Sequence, residues 1–322
     1  MDPVKWGILS TAHINRLVIA GARKTPHVDL VGVASRDQAR ADEYAAAWRI
    51  PRAYGSYDAL LADPEIEAVY ISLPNSLHID WSVRALEAGK HVLCEKPLSR
   101  RPDEVEAAFD AAERAGLLLS EAFMYRHNPQ TMRLRQLVDE GAIGELRLVR
   151  SVFSYSLYDE SNIRLRADLE GGALLDIGCY CVSGSRLFGG EPERATGEAW
   201  YGPTGTDWVF AGTLRFPQNV VAVFHCGTAL VDQDELEVIG SEGSLFVGDP
   251  WHCRTPLIEL RREHDVERIE IQVADSYQLE LENLSAAIRG EGELLLGRDD
   301  AVGQARALAA LHEAAAFSAV DA

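Results

Sequence analysis

Buried strand and helix alternate through the first third of the chain, and that rhythm limits the fold more than any other feature. Val4–Ser10, Val28–Ser35, Glu67–Ser72, His91–Cys94 and Leu117–Ala122 read as short apolar strands rich in β-branched residues. Between them Ile14–Arg23, Asp37–Trp48, Tyr57–Ala62, Ile79–Ala88 and Pro102–Ala115 carry helical spacing. Strands with no polar face, each followed by a helix, imply a parallel sheet covered on both sides. The fold class expected is therefore α/β, with a doubly wound parallel sheet at the N-terminus.

After Ala122 the rhythm changes. Pro129–Glu140 is a helix closed by Gly141. Gly144–Leu157, Ala195–Tyr201, Trp208–Phe216, Val220–Gly227 and Glu235–Gly240 alternate polar and apolar residues, and Leu257–Arg262 with Val266–Gln272 reads as a hairpin. Such runs, joined by Gly-rich turns, predict a large, mostly antiparallel open sheet. Tyr277–Ile288 and Asp299–Phe317 read as closing helices. The 322 residues thus divide into a domain at 1–122 and a second at 123–322, with the terminal helices free to pack back on the first.

Composition narrows the class of function. A net charge of −19, from 31 basic and 50 acidic residues, disfavours nucleic acid as a partner. No apolar run approaches the ~20 residues of a membrane span, and the first residues lack a signal-peptide pattern. Cys94, Cys179, Cys181, Cys226 and Cys253 show neither CxxC nor zinc spacing, so buried thiols in a reduced cytoplasmic protein are expected, with no metal.

Lys96 ends the strand His91–Cys94, because Pro97 has no N–H and restricts the residue before it. Open α/β sheets bind ligands at that carboxyl edge, and a lysine there offers a cation and three donors. A surface lysine in a loop is the alternative. Asn75 and His78, in Leu73-Pro74-Asn75-Ser-Leu-His78, lie on the same rim.

The β-α-β opening is the architecture of a dinucleotide site, although its glycine fingerprint is altered. Ser10, Ala12 and Asn15 stand where G-x-G-x-x-G would fall, with Gly7 upstream. Gly7, Ser10, Thr11, Ala12, His13 and Ile14 are the candidate residues of that loop. At the end of the second strand Ser35 and Arg36 suit a 2′-phosphate, and so NADP. Asp37 leaves NAD open: it is either the cap of the next helix or a ribose ligand.

Gly171-Gly-Ala-Leu-Leu-Asp176-Ile-Gly-Cys-Tyr180 is the other informative stretch. Asp176 and Tyr180 are i and i+4, so they are expected to share one face of a helix. A phenol and a carboxylate together form an acid–base pair, and a neighbouring ammonium would lower the phenol's pKa. A tyrosine bonded only within its own helix is the alternative.

These pieces, with Trp6-Gly-Ile-Leu, Gly89-Lys-His-Val-Leu-Cys-Glu-Lys-Pro97 and Glu121-Ala-Phe-Met-Tyr-Arg-His127, resemble the Gfo/Idh/MocA family of nicotinamide-dependent oxidoreductases. The resemblance implies a Rossmann domain, a C-terminal α/β domain with an open sheet used in homodimers, and Lys96 as active-site base or hydrogen-bond donor. Tyr180, where many members carry histidine, is similar to the dihydrodiol dehydrogenase, D-xylose dehydrogenase and sugar-ketoreductase branch, in which the tyrosine exchanges the proton. The missing glycines at Ser10 and Ala12 are a departure. The expected activity is hydride transfer between NADP(H) and a sugar or vicinal diol. Lys96, Tyr180 and Asp176 are the catalytic set. Leu73, Pro74, Asn75, His78, Glu95 and Lys96 complete the cofactor side, and Tyr125, Tyr155, Tyr158 and Arg164 the substrate wall. A cofactor-binding regulator without turnover and an NAD-using glycosidase are the competing readings.

Overall fold

A computed structural model describes residues 2–318; Met1 and 319–322, which the expected domains include, lie outside the described residues. The chain divides into two compact units, Met1–His127 with Asp275–Val302, and Asn128–Ala274 with Gly303–Ala322.

The first unit is built on six parallel strands: β1 (Val4–Leu9), β2 (Val28–Ala34), β3 (Arg52–Tyr54), β4 (Ala68–Ile71), β5 (His91–Glu95) and β6 (Leu119–Ala122). Their order is β3-β2-β1-β4-β5-β6. The order reverses between β1 and β4, which opens a crevice at the strands' carboxyl ends. α1 (Asn15–Ala22), α2 (Gln38–Trp48), α3 (Tyr57–Leu61), α4 (His78–Glu87) and α5 (Pro102–Ala115) link the strands. All four residues of β4 are buried, which is why it reads as an unbroken apolar run. β3 has no such signal: its three residues are only half-buried at the sheet edge.

Trp6, Ile8, Val33, Tyr70 and Leu93 meet Val18 and Ile19 of α1 in one core, with Leu281 and Leu284. The last two belong to a helix from far along the chain, α8 (Ser276–Ile288). Trp6 Nε1 donates to Ser285 Oγ at 3.2 Å, and Arg289 pairs with Glu67 at 2.7 Å.

The second unit carries eight strands: β7 (Leu146–Ser156), β8 (Arg194–Tyr201), β9 (Asp207–Arg215), β10 (Val221–Gly227), β11 (Ala229–Gly240), β12 (Ser244–Val247), β13 (Leu257–Arg262) and β14 (Asp265–Glu270). The order is β14-β13-β12-β11-β7-β10-β9-β8. Every pair is antiparallel except β7 with β10. α6 (Pro129–Asp139) and α7 (Cys179–Gly189) belong to this unit. On the face toward α7, Phe153 of β7 packs edge-on against Tyr180, and Trp251 lies beside both rings.

The opposite face of the open sheet is not a uniform apolar surface. Arg150 pairs with Glu235 and Glu237, and Arg261 with Glu237 and Glu259, so an ion ladder crosses it. Half-buried Leu148, Val221 and Val223 lie among those charges. Period-2 alternation predicts which residues share a face, not how that face is covered.

All five cysteines are buried, and none of them forms a disulfide. Among the described residues no helix is long and apolar enough to cross a membrane.

Candidate active site

The carboxyl edge of the first sheet gathers most of the cofactor-side residues. Between β1 and α1 the chain turns at Ser10, whose φ is +135°, a region that suits glycine. Its hydroxyl is buried and turned inward. It bonds the Ser72 hydroxyl at 2.7 Å and the Ser72 carbonyl at 3.0 Å, and it accepts from the Ala12 amide at 3.1 Å. Asn15 closes the knot, donating to the Ser10 carbonyl at 2.9 Å and accepting from Ser72 Oγ at 2.6 Å. Gly7 lies below this turn: a Cβ there would stand 2.8 Å from Leu60 Cδ2. Its smallness thus serves strand packing, which removes the expected reason to place it against a cofactor. Thr11, Ala12, His13 and Ile14 form the turn itself, and α1 starts with no side-chain cap. An uncapped helix start beside a small residue is a ready anion site.

At the end of β2 the structure answers the question left by Asp37. Its side chain accepts from the Arg40 amide at 2.8 Å and caps α2. Ser35 is buried and Arg36 exposed. Arg40, which sequence reasoning missed, bonds Thr11 Oγ1 at 2.8 Å through Nε. Its partner is separated in sequence, so only the fold shows that a second cation joins Arg36. Two guanidinium groups, a hydroxyl and the positive end of α1 form a set that fits a dinucleotide carrying a further phosphate.

The loop bearing Lys96 is fixed from two sides. His78 is buried, with Nδ1 2.8 Å from the Pro97 carbonyl oxygen and Nε2 2.8 Å from that of Leu73. Glu121 of β6 accepts from the Leu98 amide at 2.7 Å. Both anchors are main-chain bonds within three residues of Lys96, which is half-buried. His78 was expected to line the nicotinamide side; its ring instead braces the loops of Leu73 and Pro97. Pro74 and Asn75 stand half-buried on that rim, with Leu73 buried behind them. Glu95 turns inward and accepts from the Tyr70 hydroxyl.

In the second unit the stretch from Gly171 does not form a regular helix throughout. Leu174–Gly178 is a π turn, and α7 follows from Cys179. Helical spacing of 3.6 therefore fails between Asp176 and Tyr180, and their environments diverge. Asp176 accepts from the Tyr155 hydroxyl at 2.5 Å and from Arg164 Nε at 3.2 Å. Burial, the Asp176 charge and that hydrogen bond hold the Tyr155 phenol far above its ordinary range, so it stays a donor. Tyr180 is 7% exposed, with its ring in the Phe153–Trp251 cluster.

Tyr155 and Arg164, two of the four residues expected on the substrate wall, thus meet at Asp176, which was expected in the catalytic set. Tyr158 is not part of that cluster; it is 71% exposed on the loop after β7. Tyr125 also lies outside that cluster: it is 1% exposed and packs edge-on against Phe123. A further cluster, Asp234, Asp249 and His252, has ligand-type atoms within 4.8 Å of one another. The Arg254 guanidinium bonds Asp249 at 3.1 Å and stands 3.8 Å from Asp234, so a cation already occupies the acidic side of that cluster.

A doubly wound parallel sheet with this edge, joined to a mixed eight-stranded sheet, defines a dinucleotide-binding oxidoreductase. The chain belongs to the Gfo/Idh/MocA family: residues 4–123 match its NAD-binding Rossmann model and residues 131–246 its C-terminal domain model. It is 38% identical over 321 residues to D-xylose 1-dehydrogenase (NADP(+)) 2 of Haloferax volcanii, covering 96% of this chain and 97% of that one. It is 36% identical over 265 residues to human trans-1,2-dihydrobenzene-1,2-diol dehydrogenase, covering 81% and 79%. Among solved structures, a 3-ketoreductase from Actinomadura kijaniata in complex with NADP and TDP-benzene superimposes with a TM-score of 0.89 at 30% identity, over 97% and 98% of the two chains.

Proposed function

We propose that the protein is an NADP-dependent dehydrogenase or reductase acting on a secondary alcohol or carbonyl of a sugar or vicinal diol. The observation that carries this reading is the doubly anchored Lys96 loop at the carboxyl edge of β5. Such anchoring holds one ammonium at the ligand-binding edge of the sheet. The named relatives are a D-xylose dehydrogenase, a dihydrobenzenediol dehydrogenase and a 3-ketoreductase in complex with NADP and TDP-benzene. Aromatic and hydroxyl-bonding side chains at Tyr155, Asp176 and Arg164 suit a polyhydroxylated substrate.

In this reading the bound nicotinamide gives or takes the hydride. Tyr180 exchanges the proton with the substrate oxygen, and Lys96 hydrogen-bonds that oxygen. Asp176 fixes Tyr155 and Arg164, which face a second hydroxyl. Ser35, Arg36 and Arg40 select the 2′-phosphate, because Asp37 is engaged as a helix cap. The Rossmann domain up to Ala122 holds the cofactor, and the chain beyond it holds the substrate. Two copies pair through the charged and apolar face of the second sheet; a monomer mass by light scattering would reject that pairing.

The test of the activity is absorbance of reduced nicotinamide with a panel of aldoses and diols. Net reduction of NADP is expected, and Tyr180→Phe should lower turnover by ~10²–10⁴-fold with cofactor binding intact. Binding without turnover, or glycoside cleavage without net reduction, would reject the reading.

A further inference from the structure

The segment that carries Asp176 and Tyr180 begins with amides met by a side chain from elsewhere in the second unit. Asp207, first residue of β9, accepts from the Leu174 amide at 2.7 Å. The Ala173 amide and its own amide lie close enough to stabilise its charge. A helix start leaves its first N–H groups without intrahelical partners, and the segment's own flank supplies no side-chain cap. A carboxylate there also meets the positive end of the helix dipole.

The two glycines explain how the carboxylate gets so close. Gly172 has φ +126°, and a Cβ on it would lie 2.0 Å from Asp207 Oδ1. A Cβ on Gly171 would lie 2.4 Å from the Arg164 carbonyl oxygen. The chain is drawn against Arg164 on one side and Asp207 on the other just before the π turn. Among the described residues no lysine or arginine pairs with Asp207, so backbone amides are its partners. Tyr201 and Cys226 are the titratable groups that feel its charge.

We infer that Asp207 is a positioning residue for the reaction: it caps the segment Ala173–Tyr180 and so sets where Asp176 and Tyr180 stand. The inference rests on the proposed roles of those two residues. Asp207 touches neither substrate nor cofactor in this scheme. It acts through the helix start, and its sequence distance from Gly171-Gly172 hides it from motif reading.

The experiment compares Asp207→Asn and Asp207→Ala in the full chain, with NADP and the best aldose or diol from the panel. An asparagine keeps one acceptor oxygen, whereas alanine keeps none. kcat should fall in the order wild type, Asn, Ala, reaching about 10²-fold for Ala, the loss expected from a displacement on the order of 1 Å. The dissociation constant for NADPH, read by fluorescence, should not change, since Arg36, Arg40 and the Ser10 turn are untouched. Amide exchange at Ala173 and Leu174 should quicken in both variants, while exchange in β7 and β10 stays slow and so reports an intact fold.

Unchanged exchange at Ala173 and Leu174 in Asp207→Ala would overturn the capping role. Faster exchange there with unchanged kcat would overturn the positioning role. Tyr180→Phe is the separate control: full turnover in that variant rejects the functional reading, whatever the exchange data show for Asp207.

Discussion

His78 Nδ1 lies 2.8 Å from the carbonyl oxygen of Pro97. Nineteen residues separate the two in sequence, yet this contact joins the loop after β4 to the loop after β5. Through its other nitrogen the same ring holds Leu73. His78→Phe keeps ring size and removes both ring nitrogens. A neutral imidazole donates through one nitrogen, so the variant leaves one buried carbonyl without its donor, at about 1–3 kcal/mol. We predict a lower urea midpoint together with a lower kcat, because Lys96 follows the loop. A variant with wild-type kcat at saturating cofactor would show that Lys96 does not depend on the brace.

Ser10 holds a backbone conformation that costs a non-glycine residue about 1–3 kcal/mol. Its hydroxyl offsets part of that cost through Ser72 and the Ala12 amide. Ser10→Gly relieves the strain and loses the bonds, so stability should be near wild type. Ser10→Ala loses the bonds and keeps the strain, so it should be the least stable of the three. Because the hydroxyl points inward, Ser10→Gly should bind NADPH no more weakly than wild type. Weaker binding, measured by fluorescence titration, would show that the hydroxyl reaches the cofactor after all.

Cofactor choice should rest on two cations. Arg36→Ala and Arg40→Ala should each raise the Michaelis constant for NADP more than that for NAD. The double variant should approach equal use of the two. Asp37→Ala should shorten α2 and cost about 1 kcal/mol of stability without shifting the NADP preference. A strong gain for NADP in Asp37→Ala would mean that the carboxylate faces the ribose.

Glu280 is 2% exposed. Burial, reinforced by the Glu95 charge, pushes its carboxyl well above the ordinary range. A native-state value above the unfolded one means that the folded protein holds this proton more tightly. The associated stability is complete below the unfolded value of about 4.3 and is lost as pH rises through the raised one. Glu280→Gln keeps the shape and cannot ionise. The variant should therefore match wild type near pH 4 and surpass it increasingly as pH rises above that, in urea midpoints taken from pH 4 to pH 9. A parallel pH dependence in the two proteins would reject this.

Much of the first unit was legible because fully buried strands leave long apolar runs and Pro97 marks where β5 ends. β3 was not, since three half-buried edge residues carry no period. In the second sheet the alternation located the strands, but the ion ladder from Arg150 to Glu259 depends on register across four strands. Motif reading singled out Lys96 and Asp176 as candidates, because each stands in a stretch whose pattern marks a strand end or a helix start. It could not foresee the burial of Tyr125, because a tyrosine's type does not reveal whether its ring is exposed or packed against a neighbour such as Phe123. It gave Gly7 to the cofactor because a glycine in a strand looks the same whether it admits a phosphate or Leu60. Arg40, Glu121 and Asp207 were invisible for one reason: each is defined by a partner that only the tertiary fold supplies.

α8 has a consequence for the order in which the molecule can be completed. When a ribosome has finished β6, it has made every strand of the Rossmann sheet but not Leu281, Leu284 or Ser285, which close the core over Trp6. Domains tend to fold as units during synthesis, yet this one must wait for nearly the whole chain. Its nascent sheet carries an uncovered apolar face while the second unit is being translated. A fragment ending at His127 should accordingly expose that surface, bind a hydrophobic dye and aggregate, and a supplied peptide spanning 275–302 should reduce both.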